Sequence, residues 1–167
     1  MIIPSFCIAN SSSFVKNHGQ IKDTDGKFRN DILFKYEQAG LSVFFFAEKV
    51  SYVLNQRNEE DSTIQMHRVD WIWKNCNDII PNFDGSVSKL PHKFYLDTIR
   101  ITGVESGKKI IYNNIYDGVS LVFYLKDHLL KYDYVVNTAA ALGQIKSTFD
   151  GAVFNLLPNG ELAIQSS

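Results

Sequence analysis

Apolar and polar side chains alternate with a period of two through most of this chain, in short runs separated by turn residues, and no amphipathic stretch reaches three helical turns. Phe14 to Ile21 and Asp31 to Tyr36, the latter with Ile32 and Phe34 in alternation, flank Asp23-Thr24-Asp25-Gly26, a tight turn by composition. Gly40 opens Leu41 to Ala47, where Leu41, Val43 and Phe45 share one face while Phe44 and Phe46 share the other, so burial on both faces is expected. Glu48-Lys49 then turns the chain into Val50 to Leu54, which predicts a hairpin. Asn55 to Thr63 (NQRNEEDST) reads as an exposed loop. Ile64 to Lys74 changes phase: Ile64 and Met66 have one parity, Val69, Trp71 and Trp73 the other. A strand with one buried face needs an extra residue to do that, so a β-bulge is predicted near His67 or Arg68, and an unbroken ladder there refutes it.

From Asn75 to His92 the breakers Pro81, Gly85 and Pro91 indicate loop, with extended pieces resuming at Lys93 to Leu96, Ile99 to Thr102 and Lys109 to Tyr112. Val119 to Leu125 and Leu129 to Val136, separated by Lys126-Asp127-His128, predict a second hairpin, with Val119, Leu121, Phe123 and Leu125 facing the same way as Leu130, Tyr132, Tyr134 and Val136. Thr138 to Leu142 has the length of one helical turn. Ile145 to Phe149, Ala152 to Leu157 and Glu161 to Gln165 follow, the last two joined by Pro158-Asn159-Gly160. About ten short strands with regular turns predict an all-β fold: an antiparallel β-sandwich, its sheets able to curl toward a barrel, with at most one short helical turn.

Composition narrows the setting. The 167 residues fit one core, expected over 14–167, with 1–13 as an N-terminal arm or the remnant of a targeting segment. Seventeen basic and eighteen acidic side chains leave a net charge of -1, which argues against a nucleic-acid partner. No apolar run approaches the roughly 18 residues of a membrane helix, so no transmembrane segment is expected. Cys7 and Cys76 either close a loop worth on the order of 4 kcal/mol or stand as two buried thiols.

The order of motifs carries a further signal. Phe14-Val15-Lys16-Asn17-His18-Gly19-Gln20 with Arg29-Asn30-Asp31-Ile32-Leu33-Phe34, then His67-Arg68-Val69-Asp70 with Asn77, Phe94-Tyr95-Leu96, and Ile115 to Tyr124 occur in sequence. Leu130-Lys131-Tyr132-Asp133-Tyr134-Val135-Val136, Ile145, Phe149-Asp150-Gly151-Ala152 and Gly160-Glu161-Leu162-Ala163-Ile164 complete the series. This order resembles an uncharacterised N-terminal domain of secreted bacterial proteins, one that precedes SBBP (β-propeller) repeats, PKD-like modules or the sorting C-terminal domains of gliding bacteria. Lys93 stands where that family usually has Asn, Asp117 where it has Pro, and Ser120 where it has Asp. The resemblance implies a secreted or cell-surface location and supplies no activity.

Candidate chemistry is sparse. Asn17-His18-Gly19-Gln20 has the look of a recognition loop, but Asn17 and Gln20 are better read as side chains satisfying nearby backbone. Asp133 lies opposite in parity to Tyr132 and Tyr134 and reads as a carboxylate accepting from loop backbone. His18, His67, His92 and His128 lack zinc spacing, and Asp23 heads a calcium-like loop whose acidic closing position is Phe34, so no metal or cofactor is expected. There is no Gly-x-Ser-x-Gly elbow, and Glu59-Glu60-Asp61 reads as a solvated trio. The expected function is therefore a non-catalytic extracellular or cell-surface interaction or structural module of a larger secreted protein, with a protein or glycan partner. The first alternative is a carbohydrate-binding sandwich stacking sugars on Trp71, Trp73 and Tyr95, which requires open indole faces. The second is a hydrolase of surface polymers, which requires a pocket gathering two carboxylates or a His with an acid.

Overall fold

A computed structural model describes residues 13–57, 63–89, 94–96 and 99–166. Its strands, in chain order, are β1 (Phe14–Lys16), β2 (Phe34–Gln38), β3 (Leu41–Phe45), β4 (Lys49–Arg57), β5 (Ile64–Trp73), β6 (Asn82–Phe83), β7 (Val87–Lys89) and β8 (Phe94–Leu96). They continue as β9 (Ile99–Ile101), β10 (Glu105–Gly107), β11 (Lys109–Tyr116), β12 (Val119–Lys126), β13 (Leu129–Val136), β14 (Ser147–Asp150), β15 (Ala152–Leu156) and β16 (Leu162–Ser166). A 3₁₀ turn, Ala139–Gln144, the only helical element among the described residues, supplies the expected helical turn.

Eight strands form one antiparallel sheet in the order β14-β5-β4-β3-β2-β1-β10-β7, and β13-β12-β11-β6 form a second. The main core lies between them. Alternate residues of the large sheet, Phe34, Tyr36, Val43, Phe45, Val50, Trp71 and Trp73, meet Ile110, Tyr112, Leu121 and Phe123 of the small one. The fold is thus the all-β, sandwich-like arrangement that the period-two alternation predicts, assembled from more and shorter strands than the pattern resolves. Aromatic rings interlock across it edge to face, as with Phe45 on Phe123 at 5.0 Å and Trp73 on Tyr112 at 4.8 Å between ring centroids.

The opposite face of β3 is buried as well. Phe44, Phe46 and Val53 pack with Ile21 and Ile32 from the long connection between β1 and β2, a second and smaller apolar cluster on the outer side of the large sheet. This is the two-sided burial expected of Leu41 to Ala47, and it explains why the run from Val43 to Phe46 is apolar on both faces.

The predicted bulge in β5 does not exist. β4 and β5 pair without a break from Lys49 opposite Ile72 to Arg57 opposite Ile64, straight through His67 and Arg68. The phase change has another cause. Leu54, Ile64 and Met66 are exposed, because this end of the hairpin runs past the opposing sheet, where neither face is selected for burial. The ladder irregularity sits in β11, between Tyr112 and Tyr116, where Asn114 adopts a left-handed conformation at φ 56°. Ser120 serves that irregularity: its hydroxyl accepts from the Asn114 backbone N–H at 3.0 Å.

Other boundaries shift as well: β4 runs on to Arg57, into the stretch read as an exposed loop, and the extended pieces at Phe14 to Ile21 and Asp31 to Tyr36 reduce to β1 and β2. β6 and β7 lie inside the stretch read as loop, and β10 was not anticipated at all, since two or three residues are too short to display a period. The turn between β12 and β13 holds two residues, not three: Lys126 pairs with Leu129, leaving Asp127 and His128 at φ 51° and 63°. Residues 1–12, including Cys7 and its proposed pairing, lie outside the described residues, while Cys76 is a half-buried thiol.

Candidate functional site

The recognition-like loop after β1 spends its polar groups on the chain itself. The Asn17 amide donates to the carbonyls of Arg29 and Ile32 at 2.8 and 2.7 Å, and its oxygen accepts from the Gly19 N–H. Gln20 donates to the Lys16 carbonyl and accepts from the His18 N–H. Gly19 takes φ 95°, a conformation that side-chain-bearing residues rarely adopt. Asn17 and Gln20 therefore tie the β1–β2 connection to itself and to the end of β1. Asp23 caps the following turn, its carboxylate accepting from the N–H groups of Asp25 and Lys27.

Beneath that connection runs a cleft lined in part by Ile21, Asp23, Arg29, Phe46, Ser51 and Arg68. Its charges are already matched. Arg29 grips Asp31 with two bonds of 2.8 and 2.7 Å, and the Arg29 hydrogen bond holds the Asp31 carboxyl below its ordinary value. Asp70 is the more buried acid. Burial pushes its carboxyl up, yet bonds from Arg68, Ser51 and Lys49 together outweigh that and bring it to about 2. The Arg68 and Lys49 contacts are 2.7 and 2.9 Å long. Among the described residues no three His, Cys, Asp or Glu side chains converge in metal-binding geometry. The Cys76 thiol is pushed up by burial, the opposite of an activated nucleophile.

The tryptophans occupy the core. Trp71 is 4% exposed and Trp73 2%, so neither offers the open face that a stacked sugar requires, and the platform read from their spacing is corrected here. Their shared parity reports the inner face of β5. The Tyr95 side chain lies outside the described residues. Asp133 is exposed on β13, beside the Tyr124 phenol that its carboxylate holds above the ordinary value.

What period and spacing did not bring forward is the flank where the two sheets end side by side, at β13 and β14. There Trp71 bridges the sheets, with Tyr132 at 4.7 Å, Tyr134 at 6.3 Å and a stacked Phe149 at 6.1 Å between centroids. Three buried polar atoms in this region, Trp71 Nε1, Trp73 Nε1 and the Tyr134 hydroxyl, have no hydrogen-bond partner among the described residues. β13 forms the outer edge of its sheet. Leu129, Tyr132 and Val135 along it are exposed, and so are Val153, Phe154 and Leu156 of the β15–β16 hairpin nearby, whose Phe154 ring touches Phe149. Part of the exposed apolar surface of the described chain thus lies on the edge strand and hairpin of this flank, the kind of feature that marks an association surface, while Phe28, Leu54, Ile64, Met66, Ile80 and Val87 are exposed on other elements. The exposed side chains are visible in the sequence, but their exposure is a tertiary fact.

Residues 14–167 match the family model described as a domain of unknown function, DUF7948. No curated protein and no solved structure matches the chain.

Proposed function

The chain belongs to the DUF7948 family, and from that membership we propose that it is a non-catalytic docking module of a larger secreted or cell-surface protein. The SBBP repeats, PKD-like modules and sorting domains named with the motif resemblance are the expected neighbours in such a protein. The observation that carries the reading is the flank at β13 and β14: a long sheet edge with exposed apolar side chains, backed by a rigid aromatic core. The distribution of polar groups supports it. Asn17, Gln20 and Asp23 serve backbone, while Asp31 and Asp70 are neutralised by arginine or lysine, which leaves them poor candidates for proton transfer. With both indoles buried, a glycan reading has lost the surface it was built on.

The test is capture from a native outer-surface extract with the 167-residue chain as bait, protein and glycan fractions being separated beforehand. Retention of a defined protein, weakened when exposed Tyr132 or Val135 is changed to a charged residue, supports docking through this flank. Retention of glycan alone, or hydrolysis of a surface polymer, overturns it.

A further inference from the structure

Resting on the docking reading, we propose that the open edge of β13 pairs antiparallel with β13 of a second copy of this chain, Tyr132 lying opposite Tyr132. An edge strand presents a row of unpaired backbone N–H and C=O groups, and natural sheets keep such edges short, irregular or covered. Among the described residues, three of the four edges of the large and small sheets obey that rule. β7 has three residues, β6 has two, and β14 has four before the chain turns away at Gly151. β13 breaks it. It runs for eight residues in unbroken register with β12, contains no proline, and exposes Leu129, Tyr132 and Val135 at 50, 50 and 52%.

Charge selects both the occupant and the register. A twofold axis perpendicular to the small sheet keeps the two core faces on the same side, so residues of like parity must oppose one another. Centring the pair on Lys131 sets lysine against lysine; centring it on Asp133 sets aspartate against aspartate. Centring on Tyr132 sets each Lys131 against Asp133 of the other copy, an opposite-charge pair formed twice by symmetry. The same register puts Leu130 opposite Tyr134 and Leu129 opposite Val135, matching apolar with apolar. Lys131 and Asp133 are both exposed, and a carboxylate has acceptor sites enough for a lysine of a second copy. Pairing in this way would also cover the half-exposed Tyr132 rings that lie against Trp71.

Sedimentation equilibrium of the 167-residue chain, across protein concentration at low salt, reads the association directly. The expected result is a dimer that Lys131→Asp or Asp133→Lys weakens about tenfold or more, and that the double exchange Lys131→Asp/Asp133→Lys restores to within about threefold. Melting curves check that each exposed substitution folds, and hydrogen exchange of the β13 amides should slow as dimer forms. A chain that stays monomeric, a dimer indifferent to either reversal, or a double exchange that fails to restore association overturns the pairing. A monomer that still captures an outer-surface protein would sink self-pairing alone and leave the docking reading standing.

Discussion

The Tyr112 hydroxyl donates to the Phe46 carbonyl at 2.7 Å, a fully buried bond that joins the two sheets across the core. Tyr112 belongs to β11, and Phe46 follows β3, so this bond ties the small sheet to the large one, as does the Tyr116 hydroxyl on the Lys146 carbonyl beside β14. Burial raises the phenol's pKa well above its ordinary value, which keeps it a donor. Tyr112→Phe leaves the shape intact and removes one partner of the pair. We expect a loss of about 1–2 kcal/mol in chemical denaturation, with the spectrum of the folded protein unchanged.

Asp70 should dominate the acid limb of the stability curve. Its carboxyl is depressed to about 2 in the folded chain, against about 3.9 when unfolded, so its contribution is fully present above that unfolded value and is lost as pH falls toward 2. Asp70→Asn should cost about 1–3 kcal/mol at pH 7 by stranding Arg68 and Lys49. The penalty should shrink on acidification until wild type and variant converge near pH 2. Urea titrations at a series of pH values check it, and a constant difference would show that Asp70 is not the titrating group.

Gly151 links β14 to β15 at φ 81°, and a Cβ there would meet the Arg68 carbonyl oxygen at 2.2 Å. The neighbouring His67 Nε2 lies 2.7 Å from the Gly151 oxygen, so the turn is clamped from both sides. Gly151→Ala should cost about 2 kcal/mol or more and loosen the β14 pairing, which hydrogen exchange at Thr148 and Phe149 would detect. Gly160, at φ 85° with open space around it, provides the contrast: alanine there should cost only about 1 kcal/mol.

Tyr134 presents the reverse case from Tyr112. Its hydroxyl is buried with no partner among the described residues, and burial raises its pKa strongly. Tyr134→Phe removes an unsatisfied group and should be neutral or stabilising by up to about 1 kcal/mol in thermal unfolding. A clear loss would mean that an ordered water serves the hydroxyl.

Trp71 separates core from site. Trp71→Ala should lower stability by about 3–5 kcal/mol, because the ring fills the space between β5, β13 and β14. Trp71→Phe, which keeps an aromatic filler, should leave capture of any partner unchanged at a temperature where both proteins are folded. Selective loss of glycan retention in that variant would restore the sugar-stacking role.

The parts that proved legible in the chain are those set by neighbours within a few residues. The two apolar faces of Leu41 to Ala47, the β3–β4 and β12–β13 hairpins, the 3₁₀ turn after Thr138 and the β15–β16 hairpin at Asn159-Gly160 all follow from side-chain period and turn chemistry. So does the backbone-serving role of Asn17 and Gln20, since short amides beside a left-handed glycine bond locally. Tertiary structure decided the rest. Whether Ile64 and Met66 signal a bulge or an overhang, whether Trp71 and Trp73 stack on a ligand or pack edge to face in the core, and whether β13 ends its sheet all depend on where the opposing sheet begins and stops. Alternation tells a strand that it has two faces; only the partner layer determines which of them meets water, and over what length.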